Sequence, residues 1–197
     1  MQSSGGAMGV DAASTRPIHL IESGPAAGVV GAAELSRRLD GRPLIAFDMG
    51  GTTAKAALVS HGRFDRVGSL EVGGGINIAG RLLNGGGYHV RAPAIDIAEV
   101  GAGGGSLIRI DAGGGLRVGP ESAGAMPGPA CYGRGGTQPT VTDANVVLGF
   151  VNPSYLAGGS IPIDAELSRR ALAEHVAGPL GLDLEAAAWG VHRVANA

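Results

Sequence analysis

The run Asp48-Met49-Gly50-Gly51-Thr52-Thr53 sets a carboxylate, two adjacent glycines and two hydroxyls between the apolar stretch Leu44-Ile45-Ala46-Phe47 and a second stretch, Ala54 to Ser60. Glycine lets backbone N–H groups approach phosphate oxygens closely, and the threonine hydroxyls add donors. Gly50, Gly51, Thr52 and Thr53 are therefore candidate phosphate contacts. Asp48 is a candidate catalytic residue and metal ligand, facing a Mg²⁺ through water, because Mg²⁺ keeps its hydration shell and takes few carboxylates. A Walker loop or a dinucleotide fingerprint would open a helix. Here a strand follows. The same residues also suit an ordinary hairpin turn.

Asp96 and Glu99 precede a second glycine-rich run, Gly101-Ala102-Gly103-Gly104-Gly105-Ser106. Glu99 is a second candidate catalytic carboxylate, with a solvated acidic turn as the competing reading. Gly103, Gly104, Gly105 and Ser106 are the stronger candidates for holding a phosphate or substrate, although glycine triplets also serve hairpins. Lys55 either touches a phosphate or points to solvent from a strand. Cys131 stands beside proline and glycine with no histidine close in sequence, which favours packing over nucleophilic work. Asp143 and Asn145 suit ligand contact, but capping a short helix explains Asp143 equally. The histidines at 19, 61, 89, 175 and 192 show no metal-binding spacing.

These candidates need elements to position them. Ser23 as cap, Pro25 early in a helix and the alanine-rich run to Leu39 predict a helix, ended by Asp40-Gly41. Leu44–Phe47 reads as a short buried strand, Ala54–Ser60 as a second, and Phe64–Val72 as a third after a turn at His61-Gly62. Ser106–Ile110 and Leu116–Val118 form a hairpin around Gly113–Gly115. Residues 120–136 read as an ordered loop or lid. Helices are expected over 142–150, with Thr142 or Asp143 as cap, over 164–176, and from Leu184 onward, the last without a cap. Glycine triplets at 73–75, 85–87, 103–105 and 113–115 hold no fixed period, so they read as separate turns rather than a repeat.

The bulk composition narrows the class. Glycine supplies 37 of 197 residues, against ordinary usage of roughly 7%. With 44% hydrophobic and 16% charged residues the chain can bury a core. A formal net charge of -2 and no Lys/Arg cluster argue against nucleic acid as a partner. The single cysteine excludes an internal disulfide framework. No secretory signal opens the chain and no run of ~18 apolar residues occurs. The expectation is a soluble, cytoplasmic protein.

Six ordered blocks carry a closer resemblance: Ser23-Gly24-Pro25-Ala26-Ala27-Gly28, Asp48–Thr52, Val100–Ser106, Val118–Gly124, Pro127–Gly133 and Pro139–Asn145. Together they resemble the hydantoinase A, 5-oxoprolinase and acetone carboxylase family. The acid, glycine pair and hydroxyl pair between two strands is also the pattern of the actin, sugar-kinase and heat-shock ATPase superfamily. The resemblance implies an α/β fold, an actin-like ATPase (ribonuclease H-like) lobe with a mixed sheet, flanking helices and long Gly-rich loops. It implies ATP and Mg²⁺ as cofactors, a small cyclic amide as substrate, and a hydantoinase B-type subunit or domain as partner.

The expected activity is ATP-dependent opening of a hydantoin or 5-oxoproline ring within a larger enzyme. An acetone carboxylase-type ligase and a non-catalytic nucleotide-binding fragment are the alternatives. Residues 1–22 would be a connecting segment and 23–197 part of the second lobe, truncated at both ends. Asp48–Thr53 would be the second of two phosphate loops. Many members follow the hydroxyl pair with an acidic residue; this chain has Lys55.

Overall fold

The computed structural model describes residues 1–72, 77–78, 81–82 and 87–197. The glycine triplet at 73–75 lies outside them, as do Gly85 and Gly86 of the second triplet. The chain divides into two units, residues 1–49 with 54–100, and residues 50–53 with 101–197.

The first unit starts with a helical stretch that the sequence did not suggest, α1 (Val10–Thr15) and a 3-10 turn, Pro17–Leu20. Buried Ser3 pins this segment. Its hydroxyl donates to the His19 carbonyl at 2.8 Å and accepts from the Glu22 N–H at 3.1 Å. Helix α2 spans Ser23–Arg38, so Ser23 is its first residue rather than its cap; Glu22 occupies the cap position without a side-chain bond to the helix. The buried residues Ala26, Val29, Ala33 and Ser36 follow the spacing of one helical face. Leu39 closes the helix, and Asp40 and Gly41 turn the chain with positive φ.

Strands β1 (Leu44–Met49) and β2 (Ala54–Val59) pair antiparallel, Asp48 opposite Lys55. With β9 (Ala98–Val100), β5 (Asn77–Ile78) and β6 (Arg81–Leu82) they form a sheet ordered β1-β2-β9-β5-β6, antiparallel at every join among the described residues. Strand side chains alternate between faces. Ala57 and Val59 pack with Ala26, Val29, Ala33 and Ile95 in a core against α2. The other face is apolar but open: Ile45, Phe47 and Leu58 are 71%, 66% and 68% exposed. The expectation of a buried strand at Leu44–Phe47 fails on this face, because nothing among the described residues covers it. The single strand expected over Phe64–Val72 is two, β3 (Arg66–Val67) and β4 (Leu70–Val72), which pair with β8 (Ala94–Ile95) and β7 (Tyr88–Val90) respectively.

The second unit is built on the hairpin of β10 (Ser106–Ile110) and β11 (Leu116–Ser122). Asp111 fixes its turn, accepting from the N–H groups of Gly113 and Gly115 at 3.0 and 2.8 Å and from Arg117 at 2.8 Å. Helix α3 (Val141–Val147) is capped by Thr140, not Thr142, and Asp143 completes a reciprocal capping box. A small hairpin, β12 (Tyr155–Leu156) with β13 (Ile161–Pro162), leads to α4 (Ala165–Leu172), capped by Asp164. That helix runs on through a wider turn, Ala173–Ala177, into α5 (Gly178–Leu180). Helix α6 (Leu184–Ala195) is capped by Asp183, and Asn196 donates to the His192 carbonyl at its end, so the terminus expected to lack a cap is closed. Ile108, Val141, Ala144, Leu172, Val176, Ala187, Ala188 and Val191 make the core. No described helix is long and apolar enough to cross a membrane.

Candidate functional site

Within the second unit, Gly50–Thr53 forms a tight loop, closed by Gly50 N–H donating to the Thr53 carbonyl at 3.0 Å. The Gly103–Gly105 triplet lies against it. Gly104 N–H donates to the Gly50 carbonyl at 3.0 Å and Gly105 N–H to the Gly51 carbonyl at 2.6 Å. These contacts require glycine: a Cβ on Gly103 would stand 2.7 Å from the Gly51 carbonyl carbon, and one on Gly105 2.8 Å from its oxygen. Buried Ser106 accepts from Gly103 N–H at 2.9 Å. Thr142 locks the triplet from the start of α3, its N–H and hydroxyl both donating to the Gly104 carbonyl, at 2.7 and 2.8 Å.

The donors therefore divide. Those of Gly103, Gly104 and Gly105 serve the loop contact and its Ser106 brace, and Ser106 N–H returns to the Gly103 carbonyl at 3.0 Å. Among the described residues, the N–H groups of Gly51 and Thr52 and the hydroxyls of Thr52 and Thr53 meet no acceptor in the chain. Gly51 is exposed, with open space where a Cβ would point. The structure thus brings together the two glycine runs singled out in the sequence and adds Thr142, which the sequence offered only as a cap. Its side of the contact carries no sequence signal beyond its place in the Pro139–Asn145 block.

In the first unit Asp48 is exposed near the end of β1, and its carboxylate makes no hydrogen bond or ion pair among the described residues. Lys55 lies neither in solvent nor free. Its side chain is 16% exposed and its Nζ sits 2.6 Å from Glu22 Oε2 and 3.5 Å from Glu99 Oε1. Both readings of Lys55 from sequence miss this ion pair, because Glu22 is 33 residues away along the chain. Glu99 belongs to β9 rather than to an acidic turn, and Asp96 precedes it in the connection from β8.

Asp143 is fully buried and accepts from Ala130 N–H, Cys131 N–H, Thr140 N–H, the Thr140 hydroxyl and the Ser168 hydroxyl, at 2.7 to 3.1 Å. That set of bonds gives it a structural role. Burial, aided by the Asp143 carboxylate, pushes the Cys131 thiol up to about 12, which removes the thiolate a nucleophile would need. No group of three or more His, Cys, Asp or Glu among the described residues could hold a metal ion by itself.

A model of the hydantoinase/oxoprolinase family matches residues 1–197. The chain belongs to that family. An uncharacterized protein of Methanocaldococcus jannaschii is 47% identical over 196 residues, which cover 100% of this chain and 28% of that protein. The caprolactamase subunit alpha of Pseudomonas jessenii is 37% identical over 181 residues, covering 92% of this chain and 24% of its own. The crystal structure of that ATP-dependent caprolactamase superposes with a TM-score of 0.72 at 35% identity, over 99% of this chain and 26% of that one. The nucleotide-free structure of an acetone carboxylase, an enzyme of ATP-dependent acetone carboxylation, superposes with a TM-score of 0.79 at 31% identity, over 98% of this chain and 25% of that one. The α/β, actin-like lobe expected from the resemblance is thereby established. The chain spans about a quarter of the length of these hydantoinase/oxoprolinase relatives.

Proposed function

We propose that this chain supplies a phosphate grip to an ATP-dependent enzyme that opens a cyclic amide, a hydantoin or 5-oxoproline ring. The observation that carries the reading is the division of donors around Gly50–Thr53. The Gly103–Gly105 triplet holds the loop from one side, and the N–H groups of Gly51 and Thr52 with the Thr52 and Thr53 hydroxyls are left to meet an anion. Donors fixed before the ligand arrives need no reorganisation when charge develops, which is how such sites stabilise phosphoryl transfer. Gly103, Gly104, Gly105 and Ser106 then serve nucleotide binding by bracing the loop.

ATP and Mg²⁺ fit these residues: Asp48 offers an exposed carboxylate with no partner among the described residues, two positions before the loop. One carboxylate suits a metal that keeps most of its water. When bound, ATP supplies a phosphoryl group that turns a poor amide electrophile into a good one, and Mg²⁺ offsets its charge. Asp48 would hold the hydrated metal, and Gly51, Thr52 and Thr53 would orient the phosphates. Glu99, paired with Lys55, supports this arrangement rather than touching the ring. A hydantoinase B-type partner would complete the enzyme, as the subunit naming of the caprolactamase relative suggests. Residues 23–197 would form part of the second of two lobes, preceded by the connecting segment 1–22.

Carboxylation is the second reading, favoured by the fold match to acetone carboxylase. Phosphate release by the full-length enzyme separates the two, measured with hydantoin, 5-oxoproline or acetone, with and without bicarbonate. Ring opening that proceeds without bicarbonate supports the hydrolase; turnover that requires bicarbonate sinks it.

A further inference from the structure

Asp48, Lys55 and Glu99 stand in one row across three strands, since Asp48 is opposite Lys55 in the β1–β2 register and Lys55 opposite Glu99 in the β2–β9 register. Directly opposed residues share a face of the sheet, so Lys55 stands between two carboxylate-bearing positions, and its ammonium pairs with one of them, Glu99. A third carboxylate, Glu22, reaches the same ammonium from the cap position of α2 at 2.6 Å, closer than Glu99 at 3.5 Å. Lys55, Glu22 and Glu99 are 16%, 19% and 20% exposed, so water screens this cluster only in part.

We propose that Lys55 is a positioning residue that occupies Glu22 and Glu99 and so leaves Asp48 as the one open carboxylate of the row. The inference rests on the reading of Gly50–Thr53 as a phosphate grip. With Lys55 present, the three carboxylates Asp48, Glu22 and Glu99 carry a net charge of only two negatives, which a polyanionic nucleotide tolerates better than three. Without the ammonium, Glu99 would be released toward Lys55's own position in the row. The row would then bind a bare divalent cation more tightly and repel the nucleotide.

The test uses the full-length chain with Lys55→Met and with Lys55→Met/Glu99→Gln, the second restoring the net charge without restoring the lysine. Mg-ATP binding is read by calorimetry and Mn²⁺ binding, without nucleotide, by electron paramagnetic resonance. The expected result for Lys55→Met is Mg-ATP affinity about tenfold weaker and Mn²⁺ affinity about tenfold tighter, the scale of one uncompensated charge at partly screened range. The double variant should recover most of both changes.

Unchanged affinities in Lys55→Met overturn the proposal. So does a double variant that melts like wild type yet stays as impaired as the single one, since the lysine would then act by packing. If Lys55→Met does not fold, the double variant alone decides, and it must bind both ligands like wild type. If wild type fails to bind Mg-ATP, the phosphate-grip reading falls by itself, and the Mn²⁺ arm judges the clamp: no gain in Lys55→Met overturns it.

Discussion

Ser168 donates its hydroxyl to Asp143 Oδ1 at 2.7 Å, and both side chains are fully buried. The bond ties α4 to the capping box of α3, so two helices of the second unit share one desolvated carboxylate. Ser168→Ala removes one of its donors and should cost about 1–3 kcal/mol. Asp143→Ala strands the donors of Ala130, Cys131, Thr140 and Ser168 together, and a loss above about 4 kcal/mol is expected, the range reserved for broken buried networks. Urea unfolding followed by the fluorescence of Trp189, the single tryptophan, measures both. An Asp143→Ala midpoint equal to wild type would contradict this account.

Cys131 makes alkaline stability depend on the same region. Its folded-state pKa, about 12, lies above the ordinary 9.0. The unfolded chain therefore loses the proton first, and the contribution is fully present below pH 9.0 and lost as pH rises toward about 12. The slope over that window is about 1.4 kcal/mol per pH unit. Cys131→Ala should remove that much of the slope between about pH 9 and 11. Tyr132, raised chiefly by burial, acts in the same direction and stays in the variant. Equal slopes in the two proteins would refute the assignment.

Asp48 separates function from stability. Because its carboxylate is exposed and unpartnered among the described residues, Asp48→Asn should shift unfolding by no more than about 0.5 kcal/mol. ATP-dependent turnover of the full-length enzyme should fall about 10²-fold or more, the usual cost of losing one charge-stabilising group. Calorimetric melting and phosphate release, run on the same preparation, give the two numbers. Turnover near wild type would remove Asp48 from the metal site.

Two glycines respond in opposite directions to the same change. Gly103→Ala places a methyl against the Gly51 backbone, which cannot yield without moving the loop, so Mg-ATP affinity should drop at least about tenfold. Gly31 sits exposed within α2, with open space at its Cβ position. Gly31→Ala should raise stability by about 0.5–1 kcal/mol and leave nucleotide binding unchanged. Thermal melting and calorimetry of both variants test the contrast.

Local chemistry made much of this legible in advance. The Asp48–Thr53 loop between two strands, the hairpin around Gly113–Gly115 and the helices near 23–38, 142–150 and 164–176 follow from glycine, capping residues and apolar spacing. What sequence could not supply was long-range. Lys55 finds Glu22 across 33 residues, and Gly104 finds Gly50 across a stretch without any pattern linking them. The cap at Thr140 was missed because Thr140, Thr142 and Asp143 all stand near the start of that helix and only backbone geometry selects among them. Exposure of Ile45 and Phe47 was missed because an apolar run reports what a strand can bury, not what is there to cover it.

That open face has a colloidal consequence. Strand β1 lies at the edge of its sheet among the described residues, and its Ile45 and Phe47, with Leu58 of β2, present bare hydrocarbon without a charge among them. Unpaired edges and flat apolar surfaces are the features through which chains stick to one another. Concentrated solutions of this chain should therefore cloud, and Phe47→Lys should raise the concentration at which they do.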